Sequence, residues 1–306
     1  MGNERVLWLA GRLVPWKNAK IHVLSPTCQY GINIFEGIRC YLSESGNQLF
    51  AFRYKDHIDR LFRSAKILRL TSKYASSDIQ RAFIETITAN RYMEDISVRI
   101  TFYIDKLTNW AYKGDCEMMI SPVPMGRTYN SKKGITAHVS SWERISDRNV
   151  SPRIKAGANY INSRMAQLEA LESGYDAALF LGREGKVSEA PGACIFIVRN
   201  GALITPPTTA SILESITRDA IINIVNDELD LTVTERDIDR TELYVCDEIF
   251  LCGTATEIAP ITSVDKIVIG DGKTGKITNS IKQKYFDVVR GKVKAYKKWL
   301  LTVNKK

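Results

Sequence analysis

Between residues 48 and 68 the chain passes from a strand-like run, QLFAFR, into a stretch whose apolar residues return at helical spacing. In KDHIDRLFRSAKILRL, Ile58, Leu61, Phe62, Ala65 and Leu68 share one helical face. A chain that changes period in this way is committed to a mixed fold, in which sheet and helix bury one side each against the other. The runs VLWLAGRLV, AKIHVLS and GIRCYL precede the change, with the turn-rich SESGNQ ahead of QLFAFR. SSDIQRAFIETITANRY then predicts a second helix with Ser77 as its N-cap, and SVRITFYID and CEMMISPVP return to strand.

A small α/β domain over 1–124 is therefore expected, closing near Pro122 and Pro124. The polar, turn-like MGRTYNSKKG, 125–134, suits a linker, and 135–306 a larger second domain. At 306 residues the chain exceeds a typical single core. The second half predicts a strand at ITAHVSSW, a helix from Asn159 to Glu172, then the runs DAALFLG, KVSEA and ACIFIVRNGALITP. Asn200-Gly201 between two apolar runs is a hairpin signal, because both turn positions need positive φ. A helix from about Ser215, a strand at EIFLCGTAT and a final helix over 275–296 complete the reading.

Composition narrows the function. The net charge of +9 admits a nucleic-acid binder, but the basic residues are dispersed except in the C-terminal RGKVKAYKKWLLTVNKK, which reads as a solvated helix end. No nucleic-acid partner is expected, and a basic chain also suits anionic small substrates. His22, His57 and His138 lack metal-ligand spacing, so no metal site is expected. Six scattered cysteines without a CxxC pair, and no segment apolar enough for a signal peptide or a membrane span, point to the cytoplasm. GDGKTGK at 270–276 imitates a P-loop, but Ile277 stands where that loop needs a hydroxyl, and it reads as a turn and helix start.

One lysine stands apart. In RIKAGANY, 153–160, Lys155 lies among small or apolar residues, where a dry setting would lower its pKa and leave a nucleophilic amine; a lysine there can also simply reach out to water. An amine of that kind suits a pyridoxal phosphate enzyme, which further needs a carboxylate at the pyridinium nitrogen, a phosphate cup and a grip for the amino acid. Glu189 in KVSEAPG is a candidate for the first, or else a surface acid in a turn. Ser215-Ile216-Thr217 opens a helix whose first amides form an anion site, and Arg60 can add a bidentate pair or belong to a solvated face. Cys252-Gly253-Thr254-Ala255-Thr256 offers more amides and hydroxyls, or close packing alone.

With these residues in place, the chain resembles the class IV (fold type IV) pyridoxal phosphate aminotransferases, and most closely the branched-chain amino acid aminotransferases. The stretches that carry the resemblance are YGINIFEGIRCY, HIDRLFRSAKIL, KAGANY, SEAPGACIF, TPPTTASILESITRDAI and CGTATEIAPITSVD, in family order over roughly 20–290. It implies an α+β or α/β fold with a small N-terminal α/β domain and a larger C-terminal domain around a mostly β, barrel-like core. It implies pyridoxal 5′-phosphate as cofactor, Lys155 as the lysine joined to it, Glu189 at the pyridine nitrogen and Tyr160 at the 3-hydroxyl. Arg60, Ile216, Thr217 and Thr254 fall to the phosphate. Tyr30, Phe35 and Arg99 fall to the substrate pocket, with Thr254-Ala255 near the substrate carboxylate. A homodimer or larger homo-oligomer follows, its pockets completed by the neighbouring subunit.

Departures concern the pocket. Ser97 stands where branched-chain enzymes commonly carry tyrosine, Met125 and Thr128 where Trp and Tyr are typical, with Tyr129 one residue away. Ala193-Cys194 replaces Glu-Asn, and Ser215 replaces Gly. Smaller walls reshape a pocket, and one methylene changes discrimination by about 1–3 kcal/mol. The expectation is transfer of an amino group from an L-amino acid, branched-chain or otherwise apolar, to 2-oxoglutarate by ping-pong chemistry. The freed Lys155 carries the proton from the substrate α-carbon to the cofactor's C4′, and Arg99 takes the distal carboxylate of glutamate. The rivals are a D-amino acid or (R)-amine transaminase, a lyase resembling aminodeoxychorismate lyase and, from another class, a basic nucleic-acid-binding protein.

Overall fold

The computed structural model describes residues 5–124 and 134–305. Met125, Thr128, Tyr129 and nearly all of the expected linker lie outside them. In chain order the elements are β1 (Val6–Leu9), β2 (Arg12–Pro15), α1 (Pro26–Tyr30), β3 (Asn33–Leu42), β4 (Gln48–Phe52), α2 (Tyr54–Ile67), β5 (Thr71–Ser72), α3 (Ser76–Asn90), β6 (Ile96–Tyr103) and β7 (Asp115–Pro124). There follow β8 (Ile135–Glu143), α4 (Tyr160–Glu172), β9 (Ala177–Leu181), β10 (Cys194–Arg199), β11 (Ala202–Thr205), α5 (Ile216–Glu228), β12 (Val233–Glu235), β13 (Glu248–Gly253), β14 (Glu257–Val264), β15 (Ile267–Val268), α6 (Lys276–Val289) and β16 (Leu300–Lys305). The chain forms two compact units: Met1–Gly126 with Ile154–Ala158 and Asp287–Lys306, and Arg127–Arg153 with Asn159–Phe286.

The first unit is built on a sheet of order β16-β4-β3-β6-β7-β1-β2, with β5 beside β7. Side chains alternate along β3, so Ile34, Glu36, Ile38 and Cys40 share one face, all fully buried, while Phe35, Gly37, Arg39 and Tyr41 take the other. On the first face lie the apolar residues of α2 and α3, among them Ile58, Leu61, Ile79 and Phe83. Phe62 and Leu68 are only partly buried, because the buried face of α2 is turned to include His57, Arg60 and Ser64.

The second unit holds the sheet β12-β11-β10-β13-β14-β8-β9, with β15 beside β14. Its edges, β12 and β9, do not pair among the described residues. The expected barrel-like core is thus an open sheet, since a barrel requires its edges to meet. Asn200 (φ 51°) and Gly201 (φ 76°) form the turn of the β10–β11 hairpin as the dipeptide requires.

Several local expectations are overruled. AKIHVLS is not a strand: the amides of His22 and Leu24 donate to Asp105 and to the His22 ring, and Ser25 caps α1. The amide that opens α3 is that of Ala75, which donates to the Asp78 carboxylate, so Ser77 lies inside the helix. KVSEA makes only isolated bridges. The strand at EIFLCGTAT ends at Gly253 and returns as β14 after a three-residue turn. The last helix stops at Val289, and the chain goes on to pair β16 with the otherwise open edge of β4. GDGKTGK does precede a helix, whose first amides, Ile277 and Thr278, donate to the Glu248 carboxylate at 3.0 and 2.7 Å. That carboxylate occupies the place a phosphate would need. All six cysteines are free, and no helix among the described residues is long and apolar enough to cross a membrane.

Candidate active site

The pairing of β4 stops at Cys40, leaving the first half of β3 with one open edge. Ile154–Ala158 runs along it. Phe35 donates its amide to the Lys155 carbonyl (2.9 Å), Gly157 donates to the Asn33 carbonyl (3.2 Å), and Ala156 bridges Ile34. The Lys155 amide donates to Ser64 Oγ at 3.2 Å, which ties the segment to α2 as well. A Cβ on Gly157 would stand 2.8 Å from the Asn33 side-chain amide, so the small residues after Lys155 are what let this segment approach the strand. The lysine side chain is half-buried, not sealed in a dry pocket. Its backbone is held at two points, the carbonyl by Phe35 and the amide by Ser64.

Lys155 Nζ lies 5.1 Å from the centroid of the Phe35 ring, and the Arg99 guanidinium carbon lies 4.2 Å from the same centroid. The β3–β6 register explains this: Gly37 is opposite Arg99, one step along the face from Phe35, and Arg39 is opposite Ser97. An aromatic ring with a guanidinium and an amine close to its centroid gives an apolar wall with positive charge beside it. Of the other expected pocket residues in this unit, Tyr30 ends α1, 49% exposed, edge-on to Trp110 with centroids 5.8 Å apart.

Arg60 does not lie on a solvated face. It is 4% exposed, and its Nε and Nη2 donate to the two oxygens of Glu36 at 2.6 and 2.7 Å. His57 Nδ1 lies 2.7 Å from Glu36 Oε2. Burial by itself would raise the Glu36 pKa, but the charge and hydrogen bonds of Arg60, then of His57, bring it down to about 2. His57 is pushed down by burial against the opposing pull of Glu36. Neither Glu36 nor His57 was singled out by the sequence reading. The signal was an acid inside an otherwise apolar alternation, facing polar residues at 57, 60 and 64 on one helical face.

In the second unit Glu189 is 3% exposed. Arg144 Nη2 pairs with it at 2.7 Å, and the Leu213 amide donates to both its oxygens at 3.3 and 3.2 Å. It is a buried ion-paired acid and not a surface residue of a turn; Arg144 was not anticipated. Leu213 leads directly to α5, where the Ser215 side chain accepts from the Arg218 amide at 3.2 Å. The amides of Ile216 and Thr217 precede the first intrahelical bond, from Asp219 to the Ser215 carbonyl. Cys194 is opposite Cys252 in the β10–β13 register, which brings the Thr254–Thr256 turn to the neighbourhood of the Ala190–Ala193 turn after Glu189. Thr254 and Ala255 are half-buried. Tyr160 is the first residue of α4 and 39% exposed.

Each unit carries donors that fit part of pyridoxal phosphate by chemistry. The first unit supplies an amine and a guanidinium, the second an ion-paired carboxylate, the leading amides of a helix of 13 residues and a hydroxyl-bearing turn. An aldehyde, a basic ring nitrogen and a phosphate ask for those groups.

The family described as amino-transferase class IV matches residues 33–264. A probable branched-chain-amino-acid aminotransferase of Aquifex aeolicus is 41% identical over 295 residues, covering 96% of this chain and 95% of its own. The crystal structure of a branched-chain aminotransferase from Thermoproteus uzoniensis with norvaline superposes with a TM-score of 0.93 at 42% identity, covering 98% of this chain and 99% of that one. A branched-chain amino acid aminotransferase from T.th., complexed with N-(5′-phosphopyridoxyl)-L-glutamate, does so with a TM-score of 0.92 at 32% identity, covering 99% and 100%.

Proposed function

The chain belongs to the class IV aminotransferases, and from that premise we propose that it moves the amino group of branched-chain and other apolar L-amino acids onto 2-oxoglutarate. Its cofactor is pyridoxal 5′-phosphate, which when bound supplies the electron sink for breaking a bond at the substrate α-carbon. Lys155 would hold it by its amine, Glu189 at the ring nitrogen, Tyr160 at the 3-hydroxyl, and Arg60, Ile216, Thr217 and Thr254 at the phosphate.

The observation that carries this reading is the Phe35 ring, with Lys155 Nζ 5.1 Å and the Arg99 guanidinium carbon 4.2 Å from its centroid. Phe35 is an apolar wall beside the reacting amine, suited to a branched side chain. Arg99, exposed on the same face, pairs with the distal carboxylate when the substrate is an acid. One pocket then serves both halves of a ping-pong cycle, as the complex of the T.th. enzyme with a glutamate adduct supports. Lys155 Nζ takes the proton from the substrate α-carbon and returns one in the opposite half-reaction. The Thr254-Ala255 turn receives the α-carboxylate on backbone donors. Glu189, paired with Arg144, offers its carboxylate to a protonated ring nitrogen.

A second copy of the chain belongs to the proposal. Val23, Leu24, Tyr30, Leu107 and Trp110 are all exposed, on α1 with the loop before it and on the loop after β6, which are joined by hydrogen bonds from His22 to Asp105 and from Ile104 to Thr27. Burying them against a neighbour would recover their hydrophobic free energy. We place the enzyme in the cytoplasm, where its six free thiols stay reduced.

The test is a donor panel on the purified protein with 2-oxoglutarate, followed by bleaching of its visible absorbance. L-Leucine, L-valine and L-isoleucine are expected to bleach it and to yield glutamate. A preference for D-alanine or (R)-1-phenylethylamine, or pyruvate released without amino transfer, would replace this reading by another activity of the same fold.

A further inference from the structure

We propose that Glu36 is a positioning residue for Arg60: it clamps Nε and Nη2 of the guanidinium, with His57 holding the clamp, and so fixes the plane in which the guanidinium meets the cofactor phosphate. The inference rests on the reading of Arg60 as a phosphate ligand and goes beyond it in assigning the residue that aims it.

Glu36 sits on the β3 face whose other members, Ile34, Ile38 and Cys40, are all fully buried. Packing by itself gives no reason for a charged pair there, because apolar side chains in place of both Glu36 and Arg60 would fill the space without a desolvation cost. What the acid adds is direction. The side-on pair engages Nε and Nη2 of Arg60 through both carboxylate oxygens, which fixes the plane of the guanidinium. His57, one turn earlier on α2, reaches Glu36 Oε2 at 2.7 Å and keeps the carboxylate from rotating about its own bond. One turn later on the same helix face, Ser64 Oγ accepts from the Lys155 amide at 3.2 Å. A single helical stripe, His57, Arg60 and Ser64, therefore ties the arginine and the reactive lysine to one strand.

A purely electrostatic role and a positioning role predict opposite signs. Glu36 carries negative charge next to a group that is to bind an anion. If only charge mattered, its removal would tighten phosphate binding; if aim matters, its removal weakens it. The full chain, freed of cofactor, is titrated separately with pyridoxal phosphate and with pyridoxal, which lacks the phosphate. For Glu36→Gln the affinity for pyridoxal phosphate is expected to fall at least about tenfold, the loss of one well-aimed charge-assisted contact, with that for pyridoxal nearly unchanged. Glu36→Asp keeps the charge and retracts it by one methylene, so it is expected to lose part of the same preference, and it carries the comparison if the glutamine variant does not fold. Equal weakening towards both ligands would reduce Glu36 to a structural role, and unchanged or tighter phosphate binding would overturn the proposal outright. Arg60→Ala serves as the reference: if it retains the preference for pyridoxal phosphate, the phosphate reading of Arg60 fails first and the inference with it. If Arg60→Ala loses that preference while both Glu36 variants keep it, only the inference fails.

Discussion

Lys155 is fastened to Phe35 twice, by the hydrogen bond from the Phe35 amide to the Lys155 carbonyl at 2.9 Å and by the approach of its Nζ to within 5.1 Å of the ring centroid. The strand that carries Phe35, the proposed pocket wall, thus also sets the position of the Lys155 amine. Movement of one carries the other.

Replacing Lys155 by alanine is expected to abolish multiple turnover and the visible chromophore, while the backbone bonds to Phe35 and Ser64, which do not involve the side chain, remain. The absorption spectrum and a glutamate-release assay with L-leucine measure both. Sustained turnover by Lys155→Ala would sink the mechanism.

Arg99→Gln separates the two substrates. With the cation gone, kcat/KM for 2-oxoglutarate is expected to fall at least about tenfold, because a charge-assisted pair is lost, while kcat/KM for L-leucine stays within about threefold. Initial rates with each substrate varied in turn decide it. Equal losses for both would mean that Arg99 shapes the face and does not select the acid.

Arg144→Ala leaves Glu189 as a buried acid without its ion pair, the two side chains being 8% and 4% exposed. A loss of about 3 kcal/mol in unfolding free energy is expected, read from the urea midpoint at constant m-value. A change below about 1 kcal/mol would show that the remaining partners of the carboxylate, the Leu213 amide and the Cys194 thiol among them, satisfy it without Arg144.

Stability should fall on acidification in a defined window. His57 has its pKa lowered by burial, and Glu36 is brought down from 4.5 to about 2 by Arg60 and His57 against the effect of burial, so in both cases the unfolded chain binds protons that the folded one refuses. The loss begins below the ordinary histidine value of 6.5, steepens below 4.5 and runs on towards 2. Urea midpoints taken from pH 7 to pH 3 measure it, and Glu36→Gln is expected to flatten the acid limb. An unchanged acid limb in that variant would show that other carboxylates dominate.

Local pattern was enough for α2, α3, α4 and α5, for the β10–β11 hairpin and for the strands that flank the site, because side-chain period and turn chemistry act within a few residues. The candidate residues, too, are chosen on local pattern, since each lies in a short stretch with its own chemistry: Lys155 before small residues, Ile216 and Thr217 at a capped helix start, Thr254 in a turn after a strand. What failed was whatever needed a distant partner. AKIHVLS has strand composition but finds its acceptors in Asp105 and in its own histidine, and the C-terminal residues read as helix until the open edge of β4, some 250 positions earlier, claims them as β16.

The sequence by itself determined which chemical groups the chain possesses and in which local frames they sit. Only the tertiary structure decided what each group faces: Glu36 opposite Arg60 and His57, Arg144 on Glu189, Ser64 under the amide of Lys155. The reason is range. Backbone propensity is settled within one or two turns, whereas a buried charge or amide is paid for only by a partner that the folding of the whole unit brings within about 3 Å.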